Sequence, residues 1–98
     1  MTHFYVLDAN DKPVREPDLV AWARFMEGAG RHVAQDRIGD VYISTVFLGL
    51  DHGWGAQRPV LWETMVFGSK LDETQERYTT REEALAGHRR WVNTRVPQ

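Results

Sequence analysis

Val41-Tyr42-Ile43-Ser44-Thr45-Val46-Phe47-Leu48 is the stretch on which the fold turns. It is built from β-branched and aromatic residues, which suit a pleated, half-buried surface. Alternation puts Val41, Ile43, Thr45 and Phe47 on one side and Tyr42, Ser44, Val46 and Leu48 on the other. Both sides are largely apolar, which places the strand centrally in a sheet. Downstream, Val60 to Phe67 reads as a second long strand, bounded by Pro59 and Gly68. Asp51 to Arg58 joins the two, and an antiparallel hairpin is the simplest connection. Upstream, Arg31 to Arg37 is a weaker strand, closed by Ile38-Gly39-Asp40 as a tight turn. Phe4 to Leu7 is a short strand ended by the turn-rich cluster Asp8-Ala9-Asn10-Asp11-Lys12-Pro13.

Two helices complete the reading. Pro17 suits a first helical position and Asp18 the positive helix end. Leu19, Trp22, Ala23 and Met26 recur at helical spacing, and the helix stops near Glu27, before Gly28 and Gly30. Near the end of the chain, Thr80 with Glu83 fits a capping box, followed by an apolar face of Ala84, Leu85, His88, Trp91 and Val92. Ser69 to Arg77 reads as a charged, solvent-facing loop, and residues 93–98 as a fraying tail. The expectation is a single α+β domain over residues 1–98. Its order is β-α-β-β-β-α, with two helices packed on one face of an antiparallel sheet.

Composition narrows the function classes. The 98 residues suit one domain, and the absence of cysteine excludes disulfide scaffolds, thiolate zinc sites and thiol nucleophiles. A net charge of -2 argues against a general nucleic-acid binder or a binder of anionic membranes. No basic leader precedes the first apolar run, so a soluble cytoplasmic chain is the default expectation. There is no G-x-G-x-x-G, Walker A or G-x-S-x-G motif, and no cofactor is expected.

Four ionisable residues sit where a plain scaffold would not need them. Asp51 and His52 open the hairpin loop, Glu63 lies inside a strand, and His88 falls on or beside the apolar stripe of the last helix. Glu63 shares its side with Leu61, Met65 and Phe67. Should the last helix cover that side, Glu63 and His88 would meet in a partly dry site. They would form an acid–base pair or an anchor for a polar ligand. The plainer alternative is a Glu63 that faces solvent or closes a structural salt bridge, with Arg77 and Arg89 as further partners. His52, Glu63 and His88 also make a ligand set of the type zinc hydrolases use, without the i, i+4 spacing that makes such motifs specific. Trp54, between Gly53 and Gly55, is a stacking surface at a loop tip or a lid over the core, and Arg58 just beyond it is placed to meet an anion.

Several blocks have a familiar wording: Ser44-Thr45-Val46-Phe47-Leu48-Gly49-Leu50-Asp51-His52, Glu63-Thr64-Met65-Val66-Phe67-Gly68, Arg77-Tyr78-Thr79-Thr80, and Glu83-Ala84 with Gly87-His88. In this order they resemble a family of small proteins carried by bacteriophages and prophages. Trp62 stands where that family commonly has Phe, and Thr79 where it commonly has Ser. The resemblance implies a setting more than an activity. It favours a non-enzymatic accessory protein that binds and sequesters or inhibits a host component, and four Trp in so short a chain give the separate expectation of a homodimer. That component would be a defence protein or a small polar ligand such as a nucleotide. A small hydrolase or lyase using Glu63 with His52 or His88, and a virion or assembly component, are the alternatives.

Overall fold

Strand pairing spreads outward from the central stretch. The computed structural model describes residues 3–53, 57–68 and 74–94. Its strands are β1 (Tyr5–Leu7), β2 (Pro13–Arg15), β3 (His32–Ile38), β4 (Val41–Phe47), β5 (Trp62–Phe67) and β6 (Thr74–Tyr78). Its helices are α1 (Leu19–Glu27) and α2 (Arg81–Asn93), with a 3-10 turn at Ala29–Arg31. Strands β3-β4-β5-β6 form a four-stranded antiparallel sheet in sequence order, and β1 and β2 pair as a separate two-stranded ribbon. β4 is therefore internal, as its two apolar sides require.

Register decides which side chains the last helix covers. Ile43, Thr45 and Phe47 of β4 stand opposite Val66, Thr64 and Trp62 of β5, and all six are buried. α2 crosses this face and touches all four strands. Its Thr80 cap is formed as expected: Glu83 N–H donates to Thr80 Oγ1 at 3.1 Å, and the Thr80 hydroxyl donates back to Glu83 Oε1 at 3.1 Å. A second hydroxyl, from Thr79, reaches the same carboxylate oxygen at 2.8 Å. Phe47 is the hinge of the core, edge-on to Trp62 at 5.4 Å and to Phe25 of α1 at 6.0 Å, so α1 meets the same face through one ring. Tyr5, Leu7 and Val33 pack around this cluster.

Between His32 and Ala34 the β3–β4 register shifts by one residue. Val33 is the extra residue of this bulge, and it turns into the core. At Gly49 (φ +74) α1 comes so close that a Cβ would lie 2.6 Å from Met26 Sδ. The Trp22 indole N–H donates to the Gly49 carbonyl at 3.1 Å in the same contact.

The α+β class and antiparallel pairing stand, with two short strands added to the expected order. Pro13–Arg15 and Thr74–Tyr78 are strands, although both stretches read as loop. β2 is exposed throughout and β6 is an edge strand of mostly polar residues, so neither carries the apolar alternation that marks a strand in sequence. Asp18, not Pro17, begins the first helix. Asp18 is its N-cap, accepting from Val20 N–H at 3.0 Å and Ala21 N–H at 3.3 Å, which leaves Pro17 outside. Leu19 is exposed, and Phe25 takes the place in the core that the helical spacing gave to Leu19. No helix among the described residues is long and apolar enough to cross a membrane.

Candidate functional site

One polar side chain from each buried face meets the others beneath α2. His88, 3% exposed, projects from α2 onto the middle of the sheet. Its Nε2 lies 2.7 Å from Asp36 Oδ2 on β3, and its Nδ1 lies 2.7 Å from Thr45 Oγ1 on β4. Thr45 Oγ1 is 2.5 Å from Thr64 Oγ1 on β5, and the Tyr78 hydroxyl on β6 is 3.0 Å from that same Thr64 oxygen. The Tyr78 hydroxyl also reaches Glu76 Oε1 at 2.7 Å, and Arg90 Nη2 donates to Glu76 at 2.5 Å. A continuous polar array thus runs under the helix from Asp36 at one sheet edge to Arg90 at the other. Burial pushes the Tyr78 hydroxyl up to about 12, because ionising it would strand a charge away from water.

The first half of the array has the order carboxylate, imidazole, hydroxyl, which activates nucleophiles in acyl transfer. Thr45 and Thr64 are both 0% exposed, so a reacting carbonyl has no path to either oxygen. The arrangement holds the helix on the sheet.

Glu63 does not join it. Thr64 points toward α2, so its neighbour Glu63 points to the opposite face, as alternation along a strand dictates. There it lies across from Arg77, whose Nε donates to Glu63 Oε2 at 2.9 Å. The expected meeting of Glu63 and His88 is thereby corrected: the sheet separates them. The sequence misleads because both alternation sets of this strand are largely apolar, and the set that α2 covers is the one containing Thr64. The acid–base pair and the His52, Glu63, His88 metal set fall for the same reason. Among the described residues no three His, Asp or Glu side chains converge as metal ligands.

The loop residues divide differently. Asp51 closes the neck of the loop, its Oδ1 accepting from Gly53 N–H at 2.7 Å and Val60 N–H at 2.9 Å. His52 continues the neck, its backbone N–H donating to the Val60 carbonyl at 3.0 Å. Arg58 is exposed, and Trp54 lies outside the described residues. A cavity of about 320 Å³ sits where the β1–β2 turn faces the start of α2. Lys12 and Arg81 line it against Asp11 and Glu82, so its charges cancel.

The other face of the four-stranded sheet is partly exposed, although Glu63 is only 7% exposed among its neighbours there. Gln35, Arg37, Phe67, Gln75 and Arg77 are exposed there, and Tyr42, Ser44, Val46 and Met65 half-buried. Tyr42 and Phe67, partners across β4 and β5, stack at 6.1 Å with 28° between their planes. The Arg37 guanidinium lies 5.6 Å from the Tyr42 ring centre on the other side. The result is a ladder of one cation and two rings. Glu63 is the single carboxylate at the described strand positions of this face, and Arg77 neutralises it.

Asp36, Thr45, Thr64, Tyr78 and Glu76 were not singled out in the sequence. A usable signal was present. Thr45 interrupts an apolar face of β4, Thr64 an apolar face of β5, and His88 the apolar stripe of α2. Three buried polar groups on three packed surfaces must satisfy one another. No family model, curated protein or solved structure matches the chain.

Proposed function

We propose that the chain is a small accessory protein of phage type that acts by binding, the sheet face opposite α2 docking onto an acidic surface of a host protein. The ladder Arg37–Tyr42–Phe67 carries this reading. Tyr, Phe, Met and Arg are the residues enriched at the centres of protein interfaces, and this face presents Tyr42, Phe67, Met65, Arg37 and Arg77 together. With Arg77 paired to Glu63, Arg37 is the charge left over at the described strand positions of this face, although the chain as a whole carries -2, and it favours a partner of opposite sign.

Native mass spectrometry of the tagged chain, purified gently from its own host, tests the proposal. The expected result is a stoichiometric protein partner that is lost with Arg37→Glu and with Phe67→Gln while the variants melt as cooperatively as the parent. A bound nucleotide, a homodimer with no other component, incorporation into virions alone, or a partner retained by both variants would refute it.

A further inference from the structure

Helix α1 is apolar on both of its sides. Of the residues Leu19–Glu27, only Arg24 and Glu27 are charged and the rest are apolar. One side meets the rest of the chain. Phe25 lies edge-on to Phe47, Trp22 reaches Phe4 and the Gly49 carbonyl, and Met26 lies against Gly49. The opposite side carries Leu19 and Val20, 57% and 60% exposed, with half-buried Ala23 one turn on. A helix with a single neighbour turns polar residues to water, whereas one that is apolar all round is covered on both sides. Nothing among the described residues covers Leu19 and Val20.

The charges around this side are self-complementary. Glu16 and Asp18 stand before the first turn and Arg24 in the last. Arg24 and Glu27 form no ion pair among the described residues. Reversed end for end, the series Arg15, Glu16, Asp18, Arg24, Glu27 meets itself with opposite signs. A second copy of α1 laid antiparallel across Leu19, Val20 and Ala23 brings Arg24 of each copy to the acidic start of the other. Glu27 of each then falls toward Arg15 of the other, and the opposed helix dipoles attract. A two-fold axis makes every such contact twice.

We propose that the chain pairs with a second copy of itself through this side of α1. α1 lies against the face of the sheet that α2 covers, so the pairing leaves the Arg37–Tyr42–Phe67 ladder of each copy free and does not depend on what binds there. A helix this short is about 14 Å long and offers less than the roughly 800 Å² that each side of a standard interface covers, so the pair separates on dilution.

Sedimentation equilibrium of the full chain is the test. The average mass is expected to rise from one chain at about 10 μM toward two at about 1 mM. Over the same range the amide resonances of Leu19, Val20, Ala23 and Arg24 are expected to move, and those of Tyr42 and Phe67 to stay. Val20→Gln, a change on the exposed side, is expected to keep the chain single throughout. Arg24→Glu sets like charges together twice and is expected to weaken the pairing about tenfold. Should either variant fail to melt cooperatively, the resonances of the parent decide alone. A single-chain mass at about 1 mM overturns the proposal. So does a pair whose moving resonances lie on the ladder, or one that both folded variants retain in full.

Discussion

Gly87→Ala is the substitution whose sign the structure determines most clearly. In an ordinary helix interior the change stabilises by about 0.8–1.0 kcal/mol, because alanine restricts the unfolded backbone. Gly87 instead lies against Tyr78, and a Cβ there would be 2.2 Å from the phenol oxygen and 2.5 Å from two ring carbons. Ordinary contact begins near 3.4 Å, so the ring or the helix must withdraw by about an ångström. The ring has little room, since Tyr78 is 7% exposed and hydrogen-bonded to both Thr64 and Glu76. Overpacking costs about 1–3 kcal/mol, and loosening two hydrogen bonds costs about 1 kcal/mol each. The balance is a net loss of about 2–4 kcal/mol, which for a domain of this size lowers Tm by at least about 8 °C.

Thermal and urea denaturation followed by far-UV circular dichroism measure this directly. Ala86→Gly on the exposed side of the same helix is the control, expected to cost about 1 kcal/mol by propensity alone. A Gly87→Ala protein as stable as the parent, or more so, would refute the packing of α2 against β6.

Thr45→Val removes the central hydroxyl of the array, and with buried partners left unsatisfied the expected loss is about 1–3 kcal/mol in urea denaturation. Glu63→Gln is expected to leave the His88 ring resonances where they are, because the sheet lies between the two residues; displaced His88 ring resonances in the variant would place them together after all. The hydroxyls of Thr79 and Thr80 hold the Glu83 carboxyl below its ordinary value of 4.5. Its contribution is therefore complete above pH 4.5 and fades as pH falls through the lowered value, and Glu83→Gln should flatten that part of an acid melting series. Tyr78 carries the opposite sign. Its hydroxyl is raised from 10.0 to about 12, so its stabilisation is complete below pH 10 and disappears as pH climbs through 12. Alkaline unfolding monitored by circular dichroism should lose that segment in Tyr78→Phe.

Residue patterns disclosed the scaffold better than the site. The two apolar sides of 41–48 gave an internal strand, and Thr80 with Glu83 gave the start of α2, because each signal is local and chemically specific. The side of Glu63 was not legible. Leu61, Met65 and Phe67 are as apolar as Trp62, Thr64 and Val66, and only pairing with Thr45 shows which set the helix covers. Edge strand β6 was hidden because of its five residues only Tyr78 is buried. Asp36 was invisible as a partner of His88, since the contact joins residues 52 apart along the chain. The blocks noted for their wording prove to be structural positions: Gly49 admits α1, Asp51 ties the loop neck, and Gly87 admits the Tyr78 ring.

The irregularity at Val33 separates two tolerances. Downstream of it, β3 is anchored by the tight turn at Gly39 and Asp40 and must deliver Asp36 to the helix side. A one-residue slip in that half would exchange the inward and outward side chains. Deleting Val33 would instead be felt upstream, by removing a core side chain and pulling the 3-10 turn and α1 against their contacts with Phe47 and Gly49. The first third of the molecule is thus held in place by side chains, through Phe25 on Phe47 and Trp22 on Gly49, whereas the half-strand from Ala34 onward is locked in phase by its pairing.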